Sequence, residues 1–197
     1  FIHLRIRTEF SLVDSIVRIK PLVSAVAAMG MPACAVSDLT NYFGLVKFYK
    51  AAQGAGIKPI GACDFLLRAD DEAPPSLFTL IAMDNGGYKN ILALISKAYQ
   101  HGQSGGLALV TKQWVAEYSE GVIALSGGRD GEIGAALIAD RRHQAIELCD
   151  WWQSTFPDRF YLELQRTGRA NEEYYLHAAV MLASERGVPV VATNDVR

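Results

Sequence analysis

Short apolar runs alternate with helical patterns along the whole chain. The strand-like runs are Phe1–Arg7, Ala33–Leu39, Lys58–Leu67, Leu77–Met83, Val122–Ser126, Phe160–Gln165 and Val188–Val196. Most are rich in Val, Ile, Leu and Phe and nearly continuous, the pattern of strands buried on both faces of a parallel sheet. Between them, apolar residues recur at helical spacing over Pro21–Met29, Leu45–Ala55, Asn90–Gln100, Glu132–Ala139, Arg142–Phe156 and Asn171–Arg186. Pro21 in a first turn and Gly30 just past an end bracket the first helix. Gly187 and Pro189 stop the last one before a strand. Seven strands with intervening helices predict a (βα) barrel or a doubly wound sheet. The Pro74-Pro75 turn leaves no room for a helix, so the third and fourth runs are expected to form an antiparallel hairpin or a distorted crossing. His101–Gly106 is Gly/Ser-rich and reads as a surface loop, Asp70-Asp71-Glu72 as a solvated turn. There is no internal repeat, low-complexity block or linker, so residues 1–197 are read as a single domain.

Composition narrows the class. The chain has 197 residues, half of them apolar and a fifth charged, with a net charge of −2. That is enough for one core, and the near-neutral balance argues against a freestanding nucleic-acid binder. Cys34, Cys63 and Cys149 are widely spaced and form no CxxC pair, so no disulfide framework or zinc knuckle is expected. They read as small core residues of a reducing compartment. No apolar stretch reaches the roughly 18–20 residues that span a bilayer, no signal peptide precedes the first strand, and a cytoplasmic location is expected. The absence of an initiator Met suggests a segment of something longer.

The candidate chemistry lies at strand ends, where a barrel builds its functional site. Alternation along a first strand would point His3, Arg5 and Arg7 to one face. A metal-binding strand would place His-x-His there, but arginine has no lone pair to give and repels a cation. His3 alone reads as a hydrogen-bonded core histidine. Asp38 follows the second run and is read first as an arginine partner or a helix cap. Asp64 and Glu163 lie inside strands and must be paired or functional. Asp195 and Arg197 close the chain. The mouth is therefore expected to set Asp38, Asp64, Glu163 and Asp195 against Arg5, Arg7, Arg166 and Arg197, with guanidinium groups supplying the positive charge that metals would otherwise supply. Trp114, Trp151-Trp152 and Tyr174-Tyr175 read as outer-layer packing, Met29 and Met31 as core filler. There is no Ser-His-Asp order, Walker loop or dinucleotide fingerprint.

The segments HLRIRTEFSLVDS, AVSDLTNYFGLVKFYKAA, GIKPIGACDF, GYKNILALISKAYQ, LSGGRDGEIG, FYLELQRTGR and PVVATNDVR resemble the PHP (polymerase and histidinol phosphatase) domain. They are most similar to the branch at the N-terminus of bacterial replicative DNA polymerase III alpha subunits. The resemblance runs through essentially the whole chain. It implies a distorted (βα)7-type TIM-like barrel lacking its last elements. Intact PHP sites bind up to three metal ions and act as phosphoesterases or exonucleases, and this chain departs from that pattern. Arg5 and Arg7 stand where the family has His-x-His, Leu39 replaces the His after Asp38, and Asp64 stands in for Glu. Leu77 replaces a His, Gly128 a Cys, Thr167 a His and Arg197 the last His. Glu163 matches a family acid outside the core ligand pattern, and Asp195 is retained.

The resemblance implies no cofactor in this domain and no catalytic residue. A residual ion would fall to Asp38, Asp64 and Asp195. The parent chain would be a Mg2+-dependent, template-directed DNA polymerase (a nucleotidyltransferase). This domain would be a vestigial scaffold beside the polymerase thumb and near the docking site of the proofreading exonuclease subunit, meeting DNA only through the parent chain. The alternatives are an active Zn2+- or Mn2+-dependent phosphoesterase, pyrophosphatase or 3'-5' exonuclease, and metal-free pyrophosphate binding by the arginines.

Overall fold

The structure is a computed structural model and describes residues 1–68 and 74–197. The Asp70-Asp71-Glu72 turn lies outside the described residues. The elements in chain order are α1 (Ile19–Ala28), β1 (Ala33–Leu39), α2 (Leu45–Gly54), β2 (Lys58–Leu67), β3 (Ser76–Ala82), α3 (Asn85–His101), β4 (Gln103–Ser104), β5 (Leu107–Val110), α4 (Lys112–Glu117), β6 (Val122–Leu125), α5 (Glu132–Ile138), α6 (Arg142–Thr155), β7 (Phe160–Leu164), α7 (Glu172–Arg186) and β8 (Val190–Ala192). Among the described residues the strands run in the order β4-β5-β2-β3-β6-β7-β8, with β1 on β2. The pairs β1–β2, β6–β7 and β7–β8 are parallel. β3 runs against both its neighbours, because the short connection through Pro74-Pro75 cannot hold the crossover that a parallel pair needs.

The predicted strand Phe1–Arg7 does not form as a regular strand. Its backbone reaches both sides, with Ala35 N donating to His3 O, Ser37 N to Ile6 O and Arg7 N to Val196 O. Among the described residues, only Ile6 and Val196 make a bridge there. The ladder is thus left unclosed, and this segment spans the gap of a distorted barrel. Alternation fails along it: Leu4 packs against the inner apolar cluster, and the adjacent Arg5 also turns to the barrel acids.

The barrel interior is layered. Ala35, Ala62, Ile81 and Leu125 form an apolar floor, with Leu4, Ile60, Ile123, Tyr161 and Val191 against it. Two residues further along the same strand faces stand Asp64, Thr79 and Glu163, all fully buried. The larger core lies outside the sheet. There Trp152 of α6 stacks on Phe156 and Phe160 at 5.7 and 5.6 Å, and its indole N–H donates to Glu132 at 2.8 Å.

Four local readings change. The surface loop at His101–Gly106 contains the end of α3 and the β4–β5 hairpin, turned by Gly105 and Gly106 at φ 56° and 80°, as a two-residue hairpin requires. Helix α3 begins at Asn85 rather than Asn90 because Asp84 caps Gly87 N at 2.8 Å. The Gly86-Gly87 pair conceals that start, yet Gly87 is needed there: a Cβ would fall 1.8 Å from Gly121 O. Met29 is exposed rather than core filler, and Tyr175 is buried rather than on the outer layer. No helix of the described residues is long and apolar enough to cross a membrane.

Candidate functional site

The polar layer above the barrel floor is organised by Arg5. Its guanidinium is 3% exposed. It donates from Nη1 to Glu163 Oε1 at 2.9 Å and from Nη2 to Asp64 Oδ2 at 3.3 Å, and Nη2 lies 3.7 Å from Asp195 Oδ1. Burial works against its charge, but Asp64, Glu163 and Asp195 outweigh that and raise its pKa. Arg7 donates from Nε to the same Asp64 oxygen at 2.8 Å and from Nη1 to Asp14. Its pKa is raised in the same way, burial being overcome by Asp64 and Asp14. Thr79 donates its hydroxyl to Asp64 Oδ1 at 2.7 Å, so both Asp64 oxygens are engaged. Glu163 Oε1 also accepts from Gln165 Nε2 at 2.9 Å and from the Thr193 hydroxyl. Its Oε2 has no partner among the described residues.

Asp195 accepts from Arg197 Nε at 2.9 Å and from Arg169. Burial alone would push its pKa up, but Arg197, Arg5 and Arg169 bring it below the usual carboxylate range. Arg197 reaches on to Asp14 Oδ1 at 2.9 Å. Four guanidiniums (Arg5, Arg7, Arg169, Arg197) therefore meet four carboxylates (Asp14, Asp64, Glu163, Asp195).

The other expected members stand elsewhere. Asp38 has no arginine partner among the described residues. Its carboxylate accepts from Thr8 N at 2.6 Å, the Thr8 hydroxyl at 2.8 Å and the Ser11 hydroxyl at 2.7 Å, pinning the turn that follows the N-terminal segment. Burial raises its pKa against those hydrogen bonds, with Asp64 adding to the rise. Arg166 is turned outward onto Glu173 at 2.8 Å. Thr167 donates its N–H and hydroxyl to Glu172 at the start of α7. Glu172 also takes the N–H groups of Gly168 and Arg169; these bonds outweigh burial and lower its pKa. His3 stays out of the network: its ring packs edge-on against Phe1 at 5.0 Å and its Nδ1 has no partner among the described residues. Sequence reasoning missed Thr8, Ser11, Asp14, Thr79, Gln165, Arg169 and Thr193. Of these, only the charged Asp14 and Arg169, close to acids or arginines already singled out, carried a signal.

A model of the PHP domain matches residues 3–167. The chain belongs to the PHP domain family. It is 52% identical over 198 residues to DNA polymerase III subunit alpha of Pseudomonas fluorescens and 49% identical over 200 residues to that of Escherichia coli K12. Each alignment covers all of this chain and 17% of the relative. An amidohydrolase from Chromobacterium violaceum, solved with bound sulfate and no metal, superposes with a TM-score of 0.71 at 11% identity, covering 99% of this chain and 87% of that one. A second solved structure, from Bifidobacterium adolescentis, gives 0.66 at the same identity and coverage. These two likenesses establish the TIM-like PHP fold.

The residues of this PHP domain do not fit the metals associated with the family. Among the described residues, no group of three or more His, Cys, Asp or Glu could hold an ion. A cation placed at Asp64 and Glu163 would compete with the permanent charge of Arg5, already within hydrogen-bond distance of both. Glu163 Oε2 is a single donor, too few to bind a metal.

Proposed function

We propose that this chain is the PHP domain of a replicative DNA polymerase III alpha subunit. In this reading residues 1–197 form one domain whose metal site has become a structural guanidinium–carboxylate network, and the domain itself catalyses nothing. The observation that carries it is Arg5, buried among Asp64, Glu163 and Asp195. About half the residues are shared with alpha subunits along the whole length, which supports a parent chain performing Mg2+-dependent DNA synthesis. The domain serves there as a scaffold against the thumb and beside the proofreading exonuclease subunit, and meets DNA only through its parent. Pyrophosphate binding would need guanidinium charge left unmatched, whereas each network arginine here already faces a carboxylate.

The test is metal analysis of the purified full-length subunit, with phosphoesterase turnover assayed in Zn2+ and Mn2+. The expected result is no stoichiometric metal at this domain and no hydrolysis sensitive to Asp64→Asn. Two or three retained equivalents, with turnover lost in that variant, would establish a working phosphoesterase instead.

A further inference from the structure

We propose that the underside of the barrel floor, at the end opposite the mouth, is a binding site for a small molecule with an apolar body and one anionic head. A cavity of about 580 Å3 opens there, a size typical of small-molecule sites. Its walls come from the starts of β2, β6, β7 and β8, the end of β3 and the N-terminal segment. Leu4, Ile60, Ile123, Tyr161 and Val191 pack against the buried floor. Each is only half-buried, and all five line the cavity. None of Arg5, Arg7, Asp64, Glu163 and Asp195 lines it, so it is separate from the guanidinium network.

The space exists because the floor is built from small residues. A barrel of about eight strands is just wide enough to be filled by side chains or to hold one small ligand. Filled layers draw mostly on Val, Ile and Leu, whereas β1 and β2 give Ala35 and Ala62 to this floor. Gly61 adds nothing to it: a Cβ there would point away from the barrel, 3.5 Å from the Leu45 side chain of α2.

Two uncommitted polar groups set the class of the occupant. Lys47, Lys97 and Lys112 each meet a glutamate, but Lys58, which lines the cavity, forms no ion pair with a described residue. The Tyr175 hydroxyl donates to Glu163 O at 2.6 Å, but that of Tyr161 has no partner among the described residues. One cation and one hydroxyl beside an apolar hollow match a single anionic head on an apolar body. A polypeptide fits poorly. Each of its residues brings an N–H and a C=O that need partners once buried, and an apolar wall offers them none.

The test titrates the full-length subunit with anilinonaphthalene sulfonate and with its uncharged counterpart phenylnaphthylamine, both read by fluorescence. The expected result is a saturable site for each probe that is lost in Ile123→Trp, which fills the hollow. Lys58→Glu, at an exposed position, should weaken the sulfonate several-fold by like-charge repulsion and leave the neutral probe unchanged. No saturable binding, or binding of both probes that Ile123→Trp leaves intact, would overturn the proposal. Should circular dichroism show Ile123→Trp unfolded, Lys58→Glu decides alone: an unchanged sulfonate affinity, or an equal loss for both probes, would overturn it.

Discussion

The barrel mouth and the helical rim use the same residue types to different ends. At the rim, Arg166 meets Glu173 and Arg142 meets Glu185, each side chain 45% or more exposed. In the mouth, Arg5 meets Asp64 and Glu163 with at most 3% exposure. Water and salt screen the rim pairs, which are worth about 0–1 kcal/mol each. The mouth pairs have lost their hydration, so each charge depends on its partners, and removing one leaves the others buried and unmatched. Counting ion pairs would rank the two regions alike; burial and sharing separate them.

The largest expected effect comes from Arg5→Ala, which leaves Asp64 and Glu163 facing each other without their common cation. It should cost about 3–5 kcal/mol, read as a drop in the denaturant midpoint. A midpoint equal to wild type would show the mouth to be no more structural than the rim. Arg7→Ala should cost less, about 2 kcal/mol, because its second partner Asp14 is partly solvated and Arg5 still serves Asp64. Arg166→Ala at the rim should cost below about 1 kcal/mol and lose even that in high salt. A rim effect matching that of Arg5→Ala would erase the distinction.

Acidity sharpens the comparison within the mouth itself. Asp195 has a lowered pKa in the fold, so its contribution is present above the ordinary carboxylate range and lost as pH falls through the folded value. Asp38 has a raised pKa, so its contribution has the opposite sign: greatest below the ordinary value and lost as pH rises through the folded one. Asp195→Asn should therefore flatten the acid loss of stability and Asp38→Asn should steepen it, both measured as midpoint against pH. Equal slopes in the two variants would contradict the assignment.

Much of the frame was legible in the sequence. The bounds of β1 and β2 coincide with their apolar runs, and the reversal at β3 is one of the two arrangements, hairpin or distorted crossing, that Pro74-Pro75 leaves open. Asp64 and Glu163 announced themselves as acids inside strands, which need partners. What stayed hidden depended on irregular backbone. Phe1–Arg7 reads as a strand, but its side chains do not alternate, so the grouping of His3 with Arg5 and Arg7 fails. After β7, sequence could not tell that Arg166 turns out while Arg169 turns in, because Glu172 gathers the N–H groups of Thr167, Gly168 and Arg169 and fixes the loop between them. Asp38 reads as an arginine partner or a helix cap because charge is visible in a sequence, whereas the neutral donors Thr8 and Ser11 that hold it are ordinary residues about 30 positions earlier in the chain.

The most direct measurement is a high-resolution crystal structure of the full-length subunit soaked in Mn2+ or Zn2+, with anomalous data collected at the mouth. The account predicts continuous guanidinium density for Arg5 between Asp64 and Glu163 and no anomalous peak among Asp38, Asp64 and Asp195. Two or more peaks bridged by those carboxylates, with Arg5 swung out of the barrel, would contradict it.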